Sequence, residues 1–203
     1  MTLDPRAIER ELAIYYDAEG EARSTRPLLG VRLEARERFL STTSGTVLEI
    51  GSGPGRDASA FLEAGLDYVA VDLSIEHARR CRATGAAIAL ATARHLPFPR
   101  ASFDAVWSMS TLMHVPESAI DAVLVEVAHV LRPRGRATIG VWGGRDVEEY
   151  SDEDPPRLFS QRSVDRWVRM LGAVGDIESS ETSMVDGDSC YHVVVVRRTG
   201  SVR

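Results

Sequence analysis

Short apolar runs alternate with amphipathic segments along most of the chain. Seven runs predict strands, at residues 46–50, 67–72, 86–91, 103–108, 136–142, 174–180 and 190–197. Helical patterns or caps predict helices near residues 3–16, 27–41, 55–64, 74–83, 116–131 and 161–171. A polar break at 19–26 separates the first two helices, and Pro27 suits the first turn of the second.

Regular alternation of strands and helices predicts βαβ units and a mostly parallel sheet. The last two predicted strands are joined by residues 181–189, without a helix. Since parallel neighbours need a crossover, these two strands are expected to be antiparallel and to close one edge. The predicted fold class is therefore an open α/β sandwich with seven strands, one of them reversed.

The strongest chemical signal is a glycine-rich turn between the first strand and the next helix, in the segment Val47–Gly55 (VLEIGSGPG). Glycine lets the backbone adopt positive φ and approach a ligand closely. The helix that follows adds oriented N–H donors. Asp72 ends the second strand, 21 residues after Gly51, where a carboxylate accepts hydrogen bonds from ribose hydroxyls. Together these features predict a nucleoside-containing cofactor.

The spacing of the glycines separates two cofactor classes. A dinucleotide fingerprint reads G-x-G-x-x-G, whereas here Arg56 stands where the third glycine belongs. Glu49, just before the turn, is poorly suited to a pyrophosphate and well suited to a ligand with an ammonium group. This description fits S-adenosylmethionine, which becomes S-adenosylhomocysteine on methyl transfer.

Four segments in order resemble class I S-adenosylmethionine-dependent methyltransferases, in particular the small-molecule group that includes quinone-biosynthesis enzymes. They are Val47–Gly55, Val69–Ser74, the pair Leu96–Phe98 and Ser102–Val106, and Val130–Arg136. The resemblance implies a Rossmann-like sheet with helices on both faces and an N-terminal helical lid. It also implies one domain over 1–203, with a lid (1–41), a cofactor-binding core (45–142) and a substrate-side C-terminal part (143–203).

The resemblance implies a set of cofactor contacts by position. The glycine turn would border the methionine part, Glu49 would organise that turn or reach the amino group, and Asp72 would bind the ribose. The full set of expected cofactor residues is Tyr16, Glu49, Gly51, Ser52, Gly53, Gly55, Arg56, Asp72, Leu73, Thr92, Ala93, Arg94, Ser108 and Met109. Thr92 departs from the family, which usually has Asp there, so backbone groups at Ala93 and Arg94 are alternative partners for adenine.

His114 and Tyr16 are the expected catalytic residues. An ordinary histidine pKa of ~6.5 suits a general base, but His114 also fits packing under the cofactor. Tyr16 would bond the cofactor carboxylate or the substrate, or pack the lid on the domain. Trp142, at the active end of its strand, is a candidate for the substrate pocket. The acidic segment from Asp146 to Asp154 either steers a cationic substrate or, more in keeping with a charge run, forms a solvated mobile loop.

Composition narrows the alternatives. All 24 basic residues are arginine, so lysine chemistry and a Tyr-x-x-x-Lys reductase site are excluded. The net charge of −6 argues against a nucleic-acid partner, and no apolar run reaches the ~20 residues of a membrane span. Two cysteines without metal or redox spacing and a charged N-terminus predict a cytoplasmic protein without a metal.

The leading hypothesis is a methyltransferase that acts on a small molecule by in-line displacement, as a monomer or homodimer. The alternatives are an NAD(P)-type oxidoreductase and a non-catalytic S-adenosylmethionine-binding protein.

Overall fold

The computed structural model describes residues 4–186 and 189–200. Its helices are α1 (Pro5–Ala18), α2 (Gly20–Thr25), α3 (Gly30–Thr42), α4 (Ala58–Glu63), α5 (Ile75–Ala83), α6 (Ile120–Val130) and α7 (Val164–Leu171), with a 3₁₀ turn at Leu112–His114. Its strands are β1 (Thr46–Ile50), β2 (Asp67–Asp72), β3 (Ala87–Leu90), β4 (Phe103–Met109), β5 (Leu131–Gly143), β6 (Val147–Tyr150), β7 (Leu158–Gln161), β8 (Gly175–Asp186) and β9 (Ser189–Arg198).

Seven strands form one sheet in the order β3-β2-β1-β4-β5-β9-β8. The pairs among β1 to β5 are parallel, and β9 pairs antiparallel with both β5 and β8. The predicted fold class is confirmed, including the single reversed strand. The strand order changes direction between β1 and β4, which opens a crevice at the carboxyl ends of these strands.

Alternating side chains along β1 enter two different cores. Leu48 and Ile50 pack with the apolar faces of α6 and α7. Val47 points to the opposite side, where Phe39 of α3 and Phe61 of α4 surround Trp107 of β4, with ring centroids 4.9 and 5.6 Å from the indole. The sheet is therefore covered on both faces, and side chains pack on both sides of the edge formed by the carboxyl ends of its parallel strands.

Several predicted helix bounds are wrong. The polar break at 19–26 contains α2, and α3 begins at Gly30, so Pro27 lies outside its first turn. The helix after the glycine turn begins at Ala58, because Gly53 and Gly55 have φ of 56° and 86° and hold residues 53–57 in turns. Positive φ is incompatible with a helix, and this delays its start.

The first part of the acidic segment forms strand β6, so the expectation of a loop is wrong there. Residues 151–154 lie in the connection to β7, and the acidic side chains of the segment are exposed, as expected of a solvated segment. β6 pairs with β7 from Val147↔Gln161 to Tyr150↔Leu158. The Glu148 carboxylate accepts from the Ser160 hydroxyl at 2.8 Å, and Arg157 donates twice to Glu153, both times at 2.7 Å. Glu148 and Glu153 therefore have partners within the hairpin.

None of the helices within 4–186 and 189–200 is long and apolar enough to span a membrane.

Candidate functional site

A cavity opens at the carboxyl ends of β1, β2 and β4, beneath α1. Its lining combines the glycine turn, the end of β2, the loop after β3, the segment after β4 and one face of α1. The residues lining it are Ile8, Glu9, Leu12, Tyr16, Arg23, Arg32, Ile50, Gly51, Ser52, Gly53, Pro54, Arg56, Val71, Asp72, Leu73, His77, Ala91, Thr92, Ala93, Arg94, Met109, Ser110, Thr111, His114, Val115 and Pro116. The cavity coincides with the reversal in strand order.

The glycine turn is shaped by two different constraints. At Gly51, φ is 74°, and a Cβ atom there would collide with the side chain of Thr111. At Gly53, φ is 56°, and a Cβ atom would meet nothing nearer than Nδ1 of His77 at 4.0 Å. Gly53 therefore leaves its backbone exposed to the cavity, while Gly51 permits a close approach to the segment after β4.

Asp72 joins the turn to the start of α5. Its Oδ2 accepts from the backbone N–H of Gly53 at 2.7 Å, and its Oδ1 accepts from the N–H of Ser74 at 2.9 Å. Nδ1 of His77 lies 3.5 Å from Oδ1. The side chain of Asp72 is buried and faces the cavity.

Most of the residues expected at the cofactor do line this cavity. They are Tyr16, Gly51, Ser52, Gly53, Arg56, Asp72, Leu73, Thr92, Ala93, Arg94 and Met109, and the expected catalytic His114 lines it too. Glu49, Gly55 and Ser108 are not among the lining residues. A Cβ atom at Gly55 would lie 2.9 Å from Cα of Cys81, and the hydroxyl of Ser108 donates to the carbonyl of Ile50 at 3.0 Å, so both positions serve packing.

Glu49 points away from the cavity into the second core. Its Oε2 accepts a hydrogen bond from the hydroxyl of Tyr68, and its Oε1 lies 3.8 Å from a guanidinium nitrogen of Arg32. Complete burial, together with the nearby carboxylate of Asp57, raises the pKa of Glu49 well above that of an exposed glutamate. Glu49 is therefore linked to the cavity through Arg32, which does line it.

Asp57 is the centre of this buried network. It accepts from Nε and a terminal nitrogen of Arg32 at 3.0 and 2.6 Å, from Arg36 at 3.1 Å, and from the indole N–H of Trp107 at 2.9 Å. Burial opposes the charge of Arg32, but the carboxylates of Asp57 and Glu49 raise its pKa overall. The network fixes a charged side chain from α3 beside the glycine turn.

His114 connects the site to the lid and to the hairpin. Its Nε2 lies 2.8 Å from the hydroxyl of Tyr16, and its Nδ1 lies 2.7 Å from the carbonyl oxygen of Leu158. Burial lowers the pKa of His114 to about 4. The ring is therefore neutral at physiological pH, which differs from the ordinary pKa assumed for a general base.

Three further contacts fasten α1 over the cavity. Glu9 forms a two-point ion pair with Arg94, with distances of 2.7 and 2.6 Å. Asp17 accepts from the hydroxyl of Ser74 at 2.6 Å, and the hydroxyl of Tyr15 donates to Glu153 of the hairpin at 3.1 Å. The first helix closes the site against three separate parts of the chain.

Several residues of the site were not predicted from the sequence. Arg32 and Asp57 carry no local motif, and their meeting depends on how α3 packs. His77 had a usable signal, because it lies three residues after the N-cap Ser74 and so faces Asp72. Ser110, which has a φ of 58°, directly follows β4 and lines the cavity. Trp142, expected at the substrate pocket, instead packs on Tyr191 with centroids 5.4 Å apart and is not a lining residue.

Comparison with known proteins identifies the domain. Residues 47–135 match the sequence family described as a methyltransferase domain. Methyltransferase GfsG of Streptomyces halstedii is 35% identical over 112 residues, which are 51% of this chain and 40% of that protein. The 2-methyl-6-phytyl-1,4-hydroquinone methyltransferase of Synechocystis sp. is 29% identical over 151 residues, or 70% of this chain and 47% of that protein. The chain spans about half the length of these curated relatives.

A solved structure shows the same fold. It is the 1,6-didemethyltoxoflavin-N1-methyltransferase of Burkholderia thailandensis, bound to 1,6-didemethyltoxoflavin and S-adenosylhomocysteine. It superposes with a TM-score of 0.76 at 23% identity, over 98% of this chain and 92% of that one. The match over residues 47–135 shows that the chain carries a methyltransferase domain, and the superposition shows that the chain has the fold of this S-adenosylhomocysteine-bound methyltransferase.

Proposed function

We propose that this protein transfers a methyl group from S-adenosylmethionine to a small-molecule acceptor. The observation that carries the proposal is the carboxylate of Asp72, which faces the cavity beside the glycine turn. A carboxylate has about four lone-pair sites, and the N–H groups of Gly53 and Ser74 use two of them. Two sites are left for a pair of neighbouring hydroxyls, as a ribose presents.

The other polar groups of the cavity also fit this cofactor. Nε2 of His77 is buried and has no hydrogen-bond partner among the described residues, so it can accept from a ligand hydroxyl. Gly53 offers open backbone for the methionine part, and Arg32 offers a guanidinium for its carboxylate. Leu73, Thr92, Ala93 and Arg94 would border the adenine, and the backbone of Met109 would face the amino group.

The cofactor supplies an electrophilic methyl group on a sulfonium sulfur. Asp72, Arg32 and the glycine turn would hold the cofactor, so that its methyl group could pass to a lone pair of the acceptor and leave S-adenosylhomocysteine. The protein mainly has to align donor and acceptor and to exclude water. Closure of α1 serves both purposes, since Ile8, Leu12 and Tyr16 all line the cavity.

Tyr16 and His114 would lie on the acceptor side in this proposal. Because His114 is neutral and a poor proton acceptor, we assign the pair to positioning the acceptor rather than to removing its proton. The oxygen of Tyr16 keeps lone pairs that can accept from an acceptor hydroxyl or amine while its own proton is donated to His114. Glu49, Gly55 and Ser108 would support the site through packing.

Binding of two related ligands tests the ribose assignment. We expect wild-type protein to bind S-adenosylhomocysteine at least about 10-fold more tightly than its 2′,3′-dideoxy analogue, measured by calorimetry, since one charged hydrogen bond contributes roughly 1.5–3 kcal/mol. In Asp72→Asn, which keeps the shape but loses the charge, this preference should shrink to about 3-fold or less.

Asp67→Asn, at the exposed start of β2, is the matched control and should keep the full preference. Equal affinity of the wild type for both ligands would contradict the ribose assignment. No affinity for S-adenosylhomocysteine would contradict the proposed function itself.

We further propose a cytoplasmic setting, because Cys81 and Cys190 are free thiols. A small-molecule acceptor is favoured over a nucleic acid because the net charge is −6.

A further inference from the structure

Four arginine side chains line the cavity: Arg23, Arg32, Arg56 and Arg94. The acidic residues that line it are Glu9 and Asp72. Since guanidinium groups stay charged at any physiological pH, the cavity has an excess of positive charge. This excess is unexpected in a pocket whose proposed cofactor brings an ammonium, a sulfonium and only one carboxylate.

Two of the four arginines have a carboxylate within hydrogen-bond distance. Arg94 is neutralised by the two-point ion pair with Glu9. Arg32 lies 2.6 Å from Asp57, although Asp57 is shared with Arg36. Arg32 is also the guanidinium that the proposed function assigns to the cofactor carboxylate.

Arg23 and Arg56 are much less compensated. A terminal nitrogen of Arg56 donates to the backbone carbonyl of Arg26 at 3.0 Å, which supplies no negative charge. Nε of Arg23 is buried without a hydrogen-bond partner among the described residues, and it forms a longer ion pair with Glu19, at 3.6 Å. Burial and the neighbouring guanidinium of Arg32 lower the pKa of Arg56 to about 10, against the opposing effect of the Asp57 carboxylate and with smaller contributions from Arg23 and Arg26.

Arg23 also lies next to the proposed acceptor side. Its guanidinium carbon is 5.3 Å from the centre of the Tyr16 ring, and Tyr16 contacts His114. The charged cluster therefore reaches from the glycine turn to the part of the cavity that the cofactor contacts leave for the acceptor. Partly buried guanidiniums of this kind are stabilised by an oxyanion, which they bind in a two-point geometry.

We infer that the acceptor carries an oxyanion, a carboxylate or a phosphate-type group, which Arg23 and Arg56 bind beside Tyr16. The inference rests on the proposed function and specifies its substrate class. It also argues against the alternative of a cationic substrate, because Glu148 and Glu153 of the acidic segment have local partners in the hairpin. The oxyanion compensates the charge that the cofactor leaves unbalanced.

Calorimetry on protein saturated with S-adenosylhomocysteine tests the inference. The probes are benzoate, phenylphosphonate and benzamide, the last a neutral molecule with the shape of benzoate. We expect at least one anion to bind at low ionic strength, and benzamide to bind at least about 10-fold more weakly. Arg23→Gln should weaken the anion about 10-fold or more and change the affinity for S-adenosylhomocysteine by less than about 3-fold. Arg56→Gln, at a position beside the glycine turn, should weaken the anion more than it weakens S-adenosylhomocysteine.

Two kinds of control complete the design. Arg79→Gln removes an equal charge from an arginine that is 74% exposed on α5 and should leave all affinities unchanged. Arg56→Lys keeps the charge and should retain more anion binding than Arg56→Gln, which separates lost charge from lost structure.

Three results would overturn the inference: no binding of either anion, equal binding of benzamide, or variants that weaken S-adenosylhomocysteine instead of the anion. Failure of the proposed function would appear earlier, as no binding of S-adenosylhomocysteine to the wild type.

Discussion

The hydroxyl oxygen of Tyr16 lies 2.8 Å from Nε2 of His114, so that a residue of the first helix contacts a residue 98 positions later. The other ring nitrogen, Nδ1, lies 2.7 Å from the carbonyl oxygen of Leu158. A carbonyl only accepts hydrogen bonds, so Nδ1 carries the proton and Nε2 accepts from Tyr16. One neutral imidazole therefore joins the lid, the segment after β4 and the β6–β7 hairpin.

The protonation of His114 is directly measurable. We expect its imidazole to stay neutral, with the proton on Nδ1, down to about pH 4, because the ring is buried. A ¹⁵N NMR titration of the five histidines reports both the tautomer and the pKa, and His114→Gln assigns the signal. A charged His114 ring at pH 6, or a proton on Nε2, would contradict the hydrogen-bond pattern.

The low pKa of His114 also makes stability depend on pH. In the unfolded chain an ordinary histidine takes up a proton below about pH 6.5, whereas folded His114 does so only near pH 4. Between these values the unfolded state binds more protons, so the free energy of unfolding falls as the pH is lowered. For this one group we expect a slope of up to roughly 1.4 kcal/mol per pH unit.

Glu49 acts in the opposite direction, since its raised pKa lets the folded state bind the extra proton. The test is therefore the difference between wild type and His114→Gln in urea unfolding at pH 4.5, 5.5 and 6.5. The wild type should lose more stability on acidification than the variant, and parallel pH profiles would argue against the assignment.

The buried network around Asp57 should be essential for stability. Asp57→Ala leaves the guanidinium of Arg32 and the indole N–H of Trp107 without their acceptor inside the protein. Removing one partner of a buried ion pair costs about 3–5 kcal/mol, and we expect a loss of that size in denaturant unfolding. Asp152→Ala, at an exposed position, is the control and should change stability by less than about 0.5 kcal/mol. A loss below about 1 kcal/mol for Asp57→Ala would show that the network contributes little.

The ion pair between Glu9 and Arg94 should control opening of the lid. Glu9→Gln removes the charge from two short contacts, which we expect to favour the open state by about 1 kcal/mol because both side chains are partly exposed. Hydrogen exchange in α1 should then be about 5-fold faster. Glu21→Gln, on the exposed surface of α2, should leave exchange in α1 unchanged. Equal exchange rates in wild type and Glu9→Gln would mean that other contacts hold the lid.

Local sequence patterns alone were enough to predict the main strands of this protein and the position of its ligand site. The apolar run of β1, the glycines after it and the acid at the end of β2 are each features of neighbouring residues, so they predict a buried strand, a turn and a ligand site in the right order. The carboxyl ends of parallel strands lie at one edge of the sheet, which brought Gly51, Asp72 and Met109 together without any knowledge of side-chain packing.

Packing between distant parts of the chain determined the surroundings of Glu49, the form of the acidic segment and the contact between Tyr16 and His114. Because side chains alternate along β1, Glu49 lies on the opposite face of the sheet from Leu48. Only the position of α3 makes Arg32 the neighbour of Glu49, so that the Glu49 carboxylate points away from the cavity. The acidic segment enters a hairpin because β6, which ends at Tyr150, pairs in register with β7, which begins eight residues later at Leu158. The contacts that Glu148 and Glu153 make in this hairpin cannot be predicted from the number of acidic residues. Tyr16 and His114 meet for the same reason: burial and a hydrogen bond between distant residues depend on how the lid packs on the sheet, and no local sequence pattern contains that information.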